Sequence, residues 1–457
     1  MFFGCSHLSP TQSGGGNVLT QQYAALTANL MNEVEMVRGK KFKRAIAVTV
    51  VTKSEYLSSM ANQNNATSVA DKTIHNGIWH CEGLLRPNQD FYAGYDTMMA
   101  TSTGGFYEDG TNLINVIVED NATVIPQEDS ITIFHELVHG MQDQYYNLTN
   151  LQNSVSSTDE SNALRYVVEG EAEMLCTEFS FKLATGQYPT SFSPIINYFN
   201  SVQNDVNLYL DTIHYQNKPL LAQQPLYWAY YSYGPLFIYS VTSGDWSQID
   251  SKIFAWLPQK TFEVMHPEKY AAYSERYLNM NAFVNNLNSI DTVYDYDELG
   301  EVMTCVMFRE WDFPDYKDIA DGLVADRIIA YTGNNSGRFR LIWNTEWTDS
   351  TNANDFLANY ALLVNKKRNV QLPLPQTVDA RLIIQDSVSH VYLEQFGNRV
   401  MVLEDYIPAD FDSLKVRLRN VGDITRTQVL AKRVAPDTPV PWIDKSKLIK
   451  DIDKTRF

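Results

Sequence analysis

Two histidines and a glutamate carry the most specific chemistry in this chain. His135, Glu136 and His139 form His-Glu-Leu-Val-His within the run Ile131–Gly140. Positions i and i+4 of a helix lie one above the other. His135 and His139 can therefore present ring nitrogens to a single metal ion, with Glu136 beside them as a base for the water that the ion activates. The chemistry this implies is hydrolysis, above all of peptide bonds. Five residues with three fixed identities also arise by chance, so the setting matters. Ile131, Phe134, Leu137, Val138 and Met141 supply the apolar face of a helix, with Asp129 or Ser130 as its N-cap after the break at Pro126.

A catalytic zinc site takes three protein ligands and keeps a fourth position open. The third ligand is expected from Ala163–Cys176, which is again helical in period and carries Glu169, Glu171 and Glu173. Glu169 and Glu173 share a face, and either could complete the set. Glu171 points elsewhere, where it could orient a histidine from behind. Acidic clusters usually do no more than solvate a helix. Here Val167, Val168, Ala172, Met174 and Leu175 imply burial, where unpaired carboxylates are costly and a dication would offset the cost.

Glu169 begins a Glu-x-x-Ala pattern ending at Ala172, which resembles the third-ligand helix of the gluzincin peptidases. In those enzymes the glutamate binds zinc and the small residue lets two helices approach. The resemblance implies one Zn²⁺ per chain held by His135, His139 and Glu169, ahead of Glu173. The stretch His135-Glu-Leu-Val-His-Gly-Met-Gln-Asp-Gln-Tyr145, followed by Val168-Glu-Gly-Glu-Ala172, is similar to a group of mostly bacterial HExxH proteins regarded as zinc metallopeptidases. Tyr233–Phe237, Thr261–Tyr270 and Asp326-Arg327 are similar to the same group, so the likeness runs from about 40 to about 360. It implies a gluzincin-like fold and leaves the substrate unspecified.

In a peptidase of this kind Glu136 takes the proton of the attacking water and passes it to the leaving nitrogen. A donor must also face the carbonyl oxygen as charge develops on it. His266 is the first candidate, with Glu263 to fix its tautomer, and Tyr233 is the second. Bland readings stand beside both: His-Pro often ends a helix, and a tyrosine near Tyr227, Trp228, Tyr230 and Tyr231 can be packing. Gln142 and Asp143 are expected behind the histidines, and Asp326-Arg327 reads as a structural ion pair.

These residues need a scaffold, and the chain is long enough to build one. It has 457 residues, 44% of them hydrophobic and 12% aromatic, with 27 tyrosines, which marks a globular protein. A net charge of −18 argues against nucleic acid and anionic membranes as partners. No apolar run approaches the ~18–20 residues of a membrane span. The expected partner is a peptide or protein substrate. The alternatives are hydrolysis of a non-peptide amide, or a catalytically silent binding protein on a zincin scaffold.

Cys5, Cys81, Cys176 and Cys305 are too scattered for a cysteine zinc site, and Cys176 and Cys305 read as core. His75 and His80-Cys81 lack the helical context of a second metal site. Gly4-Cys5, followed by the flexible composition of Pro10–Gly16, resembles the end of a bacterial lipoprotein signal, although the charged and apolar regions that should precede it are missing. That likeness implies an extracytoplasmic protein, lipid-anchored at Cys5 or secreted.

The expected class is α+β with a zincin-like arrangement: an N-terminal mixed sheet, the active-site helix, a helical lower half and a C-terminal α+β extension. Residues 1–20 read as a tether, 21–337 as the peptidase domain, 338–432 as the extension and 433–457 as a peripheral tail. Residues 20–38 form a leading helix, Phe42–Thr52 a strand and Glu55 to about Asn62 a short helix. Asp109-Gly110 signals a hairpin. Leu113–Val118 is the candidate edge strand for a substrate, with a plain interior strand as the alternative. From about 160 to 335 the period is mainly helical, with breaks at Gly186–Pro189, Pro225 and Pro258. Strands follow at 339–343, 380–384, 390–393 and 399–403, with helices at 354–364 and 410–419.

Overall fold

The computed structural model describes residues 16–93, 95, 104–270, 277–288, 291–333, 338–369, 381–385, 390–406 and short pieces between 416 and 424. Cys5, most of the expected tether, the tail from 433 and most of the helix expected at 410–419 lie outside them. Helix and sheet are mixed in an α+β chain, and no described helix is long and apolar enough to cross a membrane.

The first layer is α1 (Gly16–Arg38) against a three-stranded sheet of β1 (Ala47–Thr52), β2 (Gly105–Glu108) and β3 (Leu113–Val118). β1 and β3 are parallel, which requires a crossover. It contains α2 (Lys53–Ala66) and α3 (Val69–Glu82), the latter carrying His75 and His80. Thr52 ends β1 and starts α2 through a capping box: its hydroxyl accepts from the Glu55 amide at 3.3 Å, and Glu55 accepts from the Thr52 amide at 2.9 Å. β2 and β3 form the antiparallel hairpin announced by Asp109-Gly110, with Gly110 in the left-handed region at φ 77°. β3 is flanked on both sides, so Leu113–Val118 is interior. Among the described residues the edge facing the cleft is β2.

The HExxH helix, α4 (Gln127–Tyr146), packs against this sheet. Gly140 permits the approach, because a Cβ there would lie 2.9 Å from Ile46 Cδ1 and 3.2 Å from the Tyr107 ring. The helix starts at Gln127 with Pro126 as an N-cap that offers no side-chain bond. Asp129 is therefore not the cap; it accepts a hydrogen bond from Tyr23 of α1 and adds negative charge to the first turn. After α5 (Leu148–Ser154) comes α6 (Thr158–Thr185), a 28-residue helix buried along most of its length. Ser157 caps its start and Gly186, at φ 83°, ends it.

α7 (Ser193–Tyr215), α8 (Gln224–Tyr231) and α9 (Tyr233–Thr242) complete the helical part. Pro225 opens α8 instead of breaking a helix. α9 crosses α6 backbone to backbone: a Cβ on Gly170 would meet the Gly234 carbonyl carbon at 2.4 Å, and one on Gly234 would meet Tyr166 O at 2.8 Å. Only glycines allow this crossing, and it fixes the end of α8 over the HExxH motif.

The second sheet has six antiparallel strands: β5 (Asp291–Asp297), β6 (Leu323–Gly333), β7 (Phe339–Trp347), β8 (Arg381–Gln385), β9 (His390–Phe396) and β10 (Arg399–Glu404), in the order β5-β6-β7-β10-β9-β8. A two-residue strand, β4 (Tyr277–Leu278), precedes it. Helices α10 (Gly300–Glu310) and α11 (Ser350–Arg368) accompany the large sheet. Strands thus begin at Asp291, inside the stretch read as helical, and the sheet runs unbroken across position 338. The cause is burial of acids: in β5 the inward positions include Asp295 and Asp297, so no apolar alternation shows. Asp297 is satisfied by the Thr158 amide at 2.8 Å, at the start of α6. The largest hydrophobic cluster among the described residues extends from Leu19 to Val402, with two smaller ones beside it.

Candidate metal centre

Three ligand atoms from two helices converge. His135 Nε2 and His139 Nε2 lie 3.0 Å apart, and Glu169 Oε2 lies 3.3 Å from the first and 3.2 Å from the second. Glu169 Oε2 is buried without a hydrogen-bond partner. Burial alone would raise the Glu169 pKa, but the two imidazoles beside it outweigh burial and hold the carboxyl at about 2. Burial would likewise lower both imidazoles, yet Cys176 and the carboxylates around His135, and Glu169 beside His139, push both above the ordinary histidine range. His135, His139 and Glu169 thus form one of the groups that could hold a metal ion among the described residues. Glu173 lies on the other side of the His135 ring, its Oε2 3.4 Å from Nδ1. It therefore sits as a partner of His135, outside the triad. Cys176 joins His135 and Glu173 in a second group of close ligand atoms and is pocket lining as well as core.

Behind His139 stands a relay that reaches the amino-terminal helix. Gln142 Oε1 is 2.9 Å from His139 Nδ1 and accepts its proton, which leaves the Nε2 lone pair facing the cluster. The Gln142 amide is oriented in turn by donating to Val168 O and Glu171 Oε2, each at 2.9 Å. Glu171 is paired with the buried Arg38, which also donates to Trp246 O at 2.8 Å. Glu171 thus acts on the histidine through Gln142. Asp143 touches neither histidine: it accepts from Tyr107 OH at 2.9 Å, Gly110 N at 2.8 Å and Leu148 N at 3.0 Å, and so anchors the hairpin.

Glu136 lies beside the cluster, and its Oε2 accepts from the Tyr107 amide on β2 at 2.7 Å. Burial, opposed by the histidines and this amide, leaves its pKa above the ordinary carboxylate range. The cavity in front measures about 630 Å³ and is lined by His135, Glu136, His139 and Glu169 together with Gly104–Tyr107, Tyr230 and Tyr231. Tyr230 is the tyrosine at the metal cluster, its ring centroid 5.7 Å from that of His135. Burial, then the charges of Glu169 and Glu136, hold its phenol protonated, so it can donate.

Tyr233 and His266 do not line this cavity. A break at Ser232 (φ −137°, ψ −96°) separates α8 from α9 and turns Tyr233 onto Trp228, ring to ring at 5.2 Å. His266 Nε2 is held by Glu301 at 3.0 Å, with Asp321 at 3.4 Å. Glu263 does not fix its tautomer; it accepts from the Gln259 amide at 2.8 Å and caps the short helix Thr261–Met265. Asp326 and Arg327, adjacent on β6, do not pair with each other: Asp326 accepts from Leu299 N at 3.0 Å and Arg327 pairs with Glu298 at 2.6 Å. Sequence reasoning weighed Tyr230 only as packing; it lies three residues before the tyrosine chosen, on the other side of the break at Ser232.

Residues 289–415 match the model of a family described as a domain of unknown function (DUF8575). That segment contains the six-stranded sheet and α11 and none of the residues of the metal cluster. No curated protein and no solved structure was found to match the chain.

Proposed function

We propose that the chain is a zinc metallopeptidase of gluzincin type, with a zincin-like catalytic half. The observation that carries this is the convergence of His135 Nε2, His139 Nε2 and Glu169 Oε2 at 3.0–3.3 Å. Ligands bound tetrahedrally at about 2.0–2.1 Å stand roughly 3.3 Å apart, and two histidines with one glutamate are a known catalytic zinc set. The arrangement of a mixed sheet over the HExxH helix, followed by a glutamate helix, supports the same reading.

A zinc ion held there would supply Lewis acidity, polarising the carbonyl and lowering the pKa of water toward about 7. Glu136, its pKa raised by burial and its carboxylate held by the Tyr107 amide, takes the proton of the attacking water and returns it to the leaving nitrogen. Tyr230 replaces His266 and Tyr233 as the donor for the developing oxyanion. The peptide itself is offered a backbone partner. Gly104 O accepts from Ile117 N at 2.9 Å, so alternation along β2 turns the N–H and C=O of Gly105 outward, toward the cleft.

The test is Glu136→Gln in zinc-loaded protein. Zinc content should stay at the wild-type level while hydrolysis of denatured casein falls at least about 100-fold. Retained hydrolysis would refute Glu136 as the base.

A further inference from the structure

We propose that this cleft, given the peptidase reading on which the inference rests, selects a large apolar or aromatic side chain next to the scissile bond and rejects carboxylates there, side-chain and C-terminal alike. The cavity of about 630 Å³ extends from the metal cluster along one face of α6, where Glu169, Glu173, Thr177 and Ser180 follow at helical spacing. At 1.5 Å per residue that face runs about 16 Å from Glu169 to Ser180. Beyond Glu173 it is small and uncharged. Its walls there are the side chains of Phe181, Ile195, Tyr198, Tyr227 and Tyr231. Such rings provide broad apolar area with polar tips, the surface that holds an aromatic or long aliphatic side chain.

Among the described residues the start of β2 presents two glycines to the cavity. Gly104 and Gly105 carry no side chain, and a Cβ on Gly105 would meet Asn115 O at 3.0 Å and Thr132 Cγ2 at 3.1 Å. Neither glycine places a side chain between a peptide laid along β2 and that wall. Charge supplies the second half of the inference. The lining includes the carboxylates Asp109, Glu136, Glu169 and Glu173 and two histidines, and no lysine or arginine lines the cavity among the described residues. Recognition of a terminal carboxylate calls for a cationic partner, usually a forked arginine. A carboxylate entering this space would instead face Glu173.

The experiment digests a mixture of denatured proteins with the zinc-loaded enzyme, with Glu136→Gln in parallel, and reads cut sites by mass spectrometry. One position flanking the cut should favour Phe, Tyr, Leu and Met over Asp and Glu at least tenfold, and removing a C-terminal residue should be rare. Ser180→Trp, which fills the wall, should shift that position toward Ala and Ser. Tyr198→Ala, at a residue 42% exposed, should weaken the preference without unfolding the protein. Wild-type cutting as frequent beside Asp and Glu as beside Phe, or a pattern unmoved in both folded variants, overturns the selectivity alone. No cutting by wild type beyond the Glu136→Gln background overturns the peptidase reading and this inference with it.

Discussion

The backbone amide of Tyr107 donates to Glu136 Oε2 at 2.7 Å, so the edge strand and the proposed catalytic base form one mechanical unit. The Tyr107 hydroxyl extends that unit to Asp143, which also holds Gly110 and Leu148. Asp143→Ala removes all three anchors without touching a histidine. It should lower stability by about 1–3 kcal/mol and reduce kcat, with zinc content unchanged. Chemical denaturation, steady-state kinetics and metal analysis on the same preparation check this. Loss of zinc would place Asp143 behind the histidines after all.

Gln142 determines which nitrogen of His139 carries the proton. Gln142→Leu keeps the approximate volume and removes both the acceptor and the link to Glu171. Zinc affinity should fall about 10–100-fold, measured by competition with a chelator of known affinity. Unaltered affinity would show that the relay to Arg38 serves packing only.

Tyr230 and Tyr233 separate by the same substitution. Tyr230→Phe should cut kcat about 10²–10³-fold, as loss of an oxyanion donor does, with KM and zinc little changed. Tyr233→Phe should stay within about twofold of wild type, because its ring packs on Trp228 away from the cleft. The reverse ranking would return the donor role to Tyr233.

The convergence of the proposed metal ligands was legible because helical spacing carries it: His135 and His139 one turn apart, and Glu169 among apolar neighbours that imply burial. The oxyanion donor was not. The aromatic run from Tyr227 to Tyr233 looks like one helix, and only the backbone break at Ser232 decides which tyrosine lies beside His135. The edge strand was misplaced for a different reason. Strand order follows from the β1–β3 crossover, a long-range pairing that local alternation does not encode. β5 escaped because its inward positions include the buried carboxylates Asp295 and Asp297, which invert the usual pattern.

Glu178 gives the fold a testable pH dependence away from the metal. Burial, partly opposed by a hydrogen bond from Trp246 Nε1 at 2.9 Å, raises its pKa from 4.5 to about 7. The native state holds this proton more tightly than the unfolded chain, so the associated stability is complete below about pH 4.5 and is lost as pH rises through about 7. The loss amounts to up to about 3 kcal/mol. Glu178→Gln preserves an acceptor for Trp246 and should flatten this part of the profile, leaving the variant more stable than wild type at pH 8. Urea midpoints at pH 5 and pH 8 for both proteins decide it; parallel profiles would contradict the assignment.

The most direct measurement is metal content by plasma mass spectrometry on tag-free wild type, Glu169→Ala and Glu173→Ala, each equilibrated with zinc and then desalted. Close to one zinc per chain in wild type and Glu173→Ala, and little in Glu169→Ala, is the predicted result. Wild type without zinc would contradict the metal centre itself, and zinc lost from Glu173→Ala but kept in Glu169→Ala would contradict its ligand set.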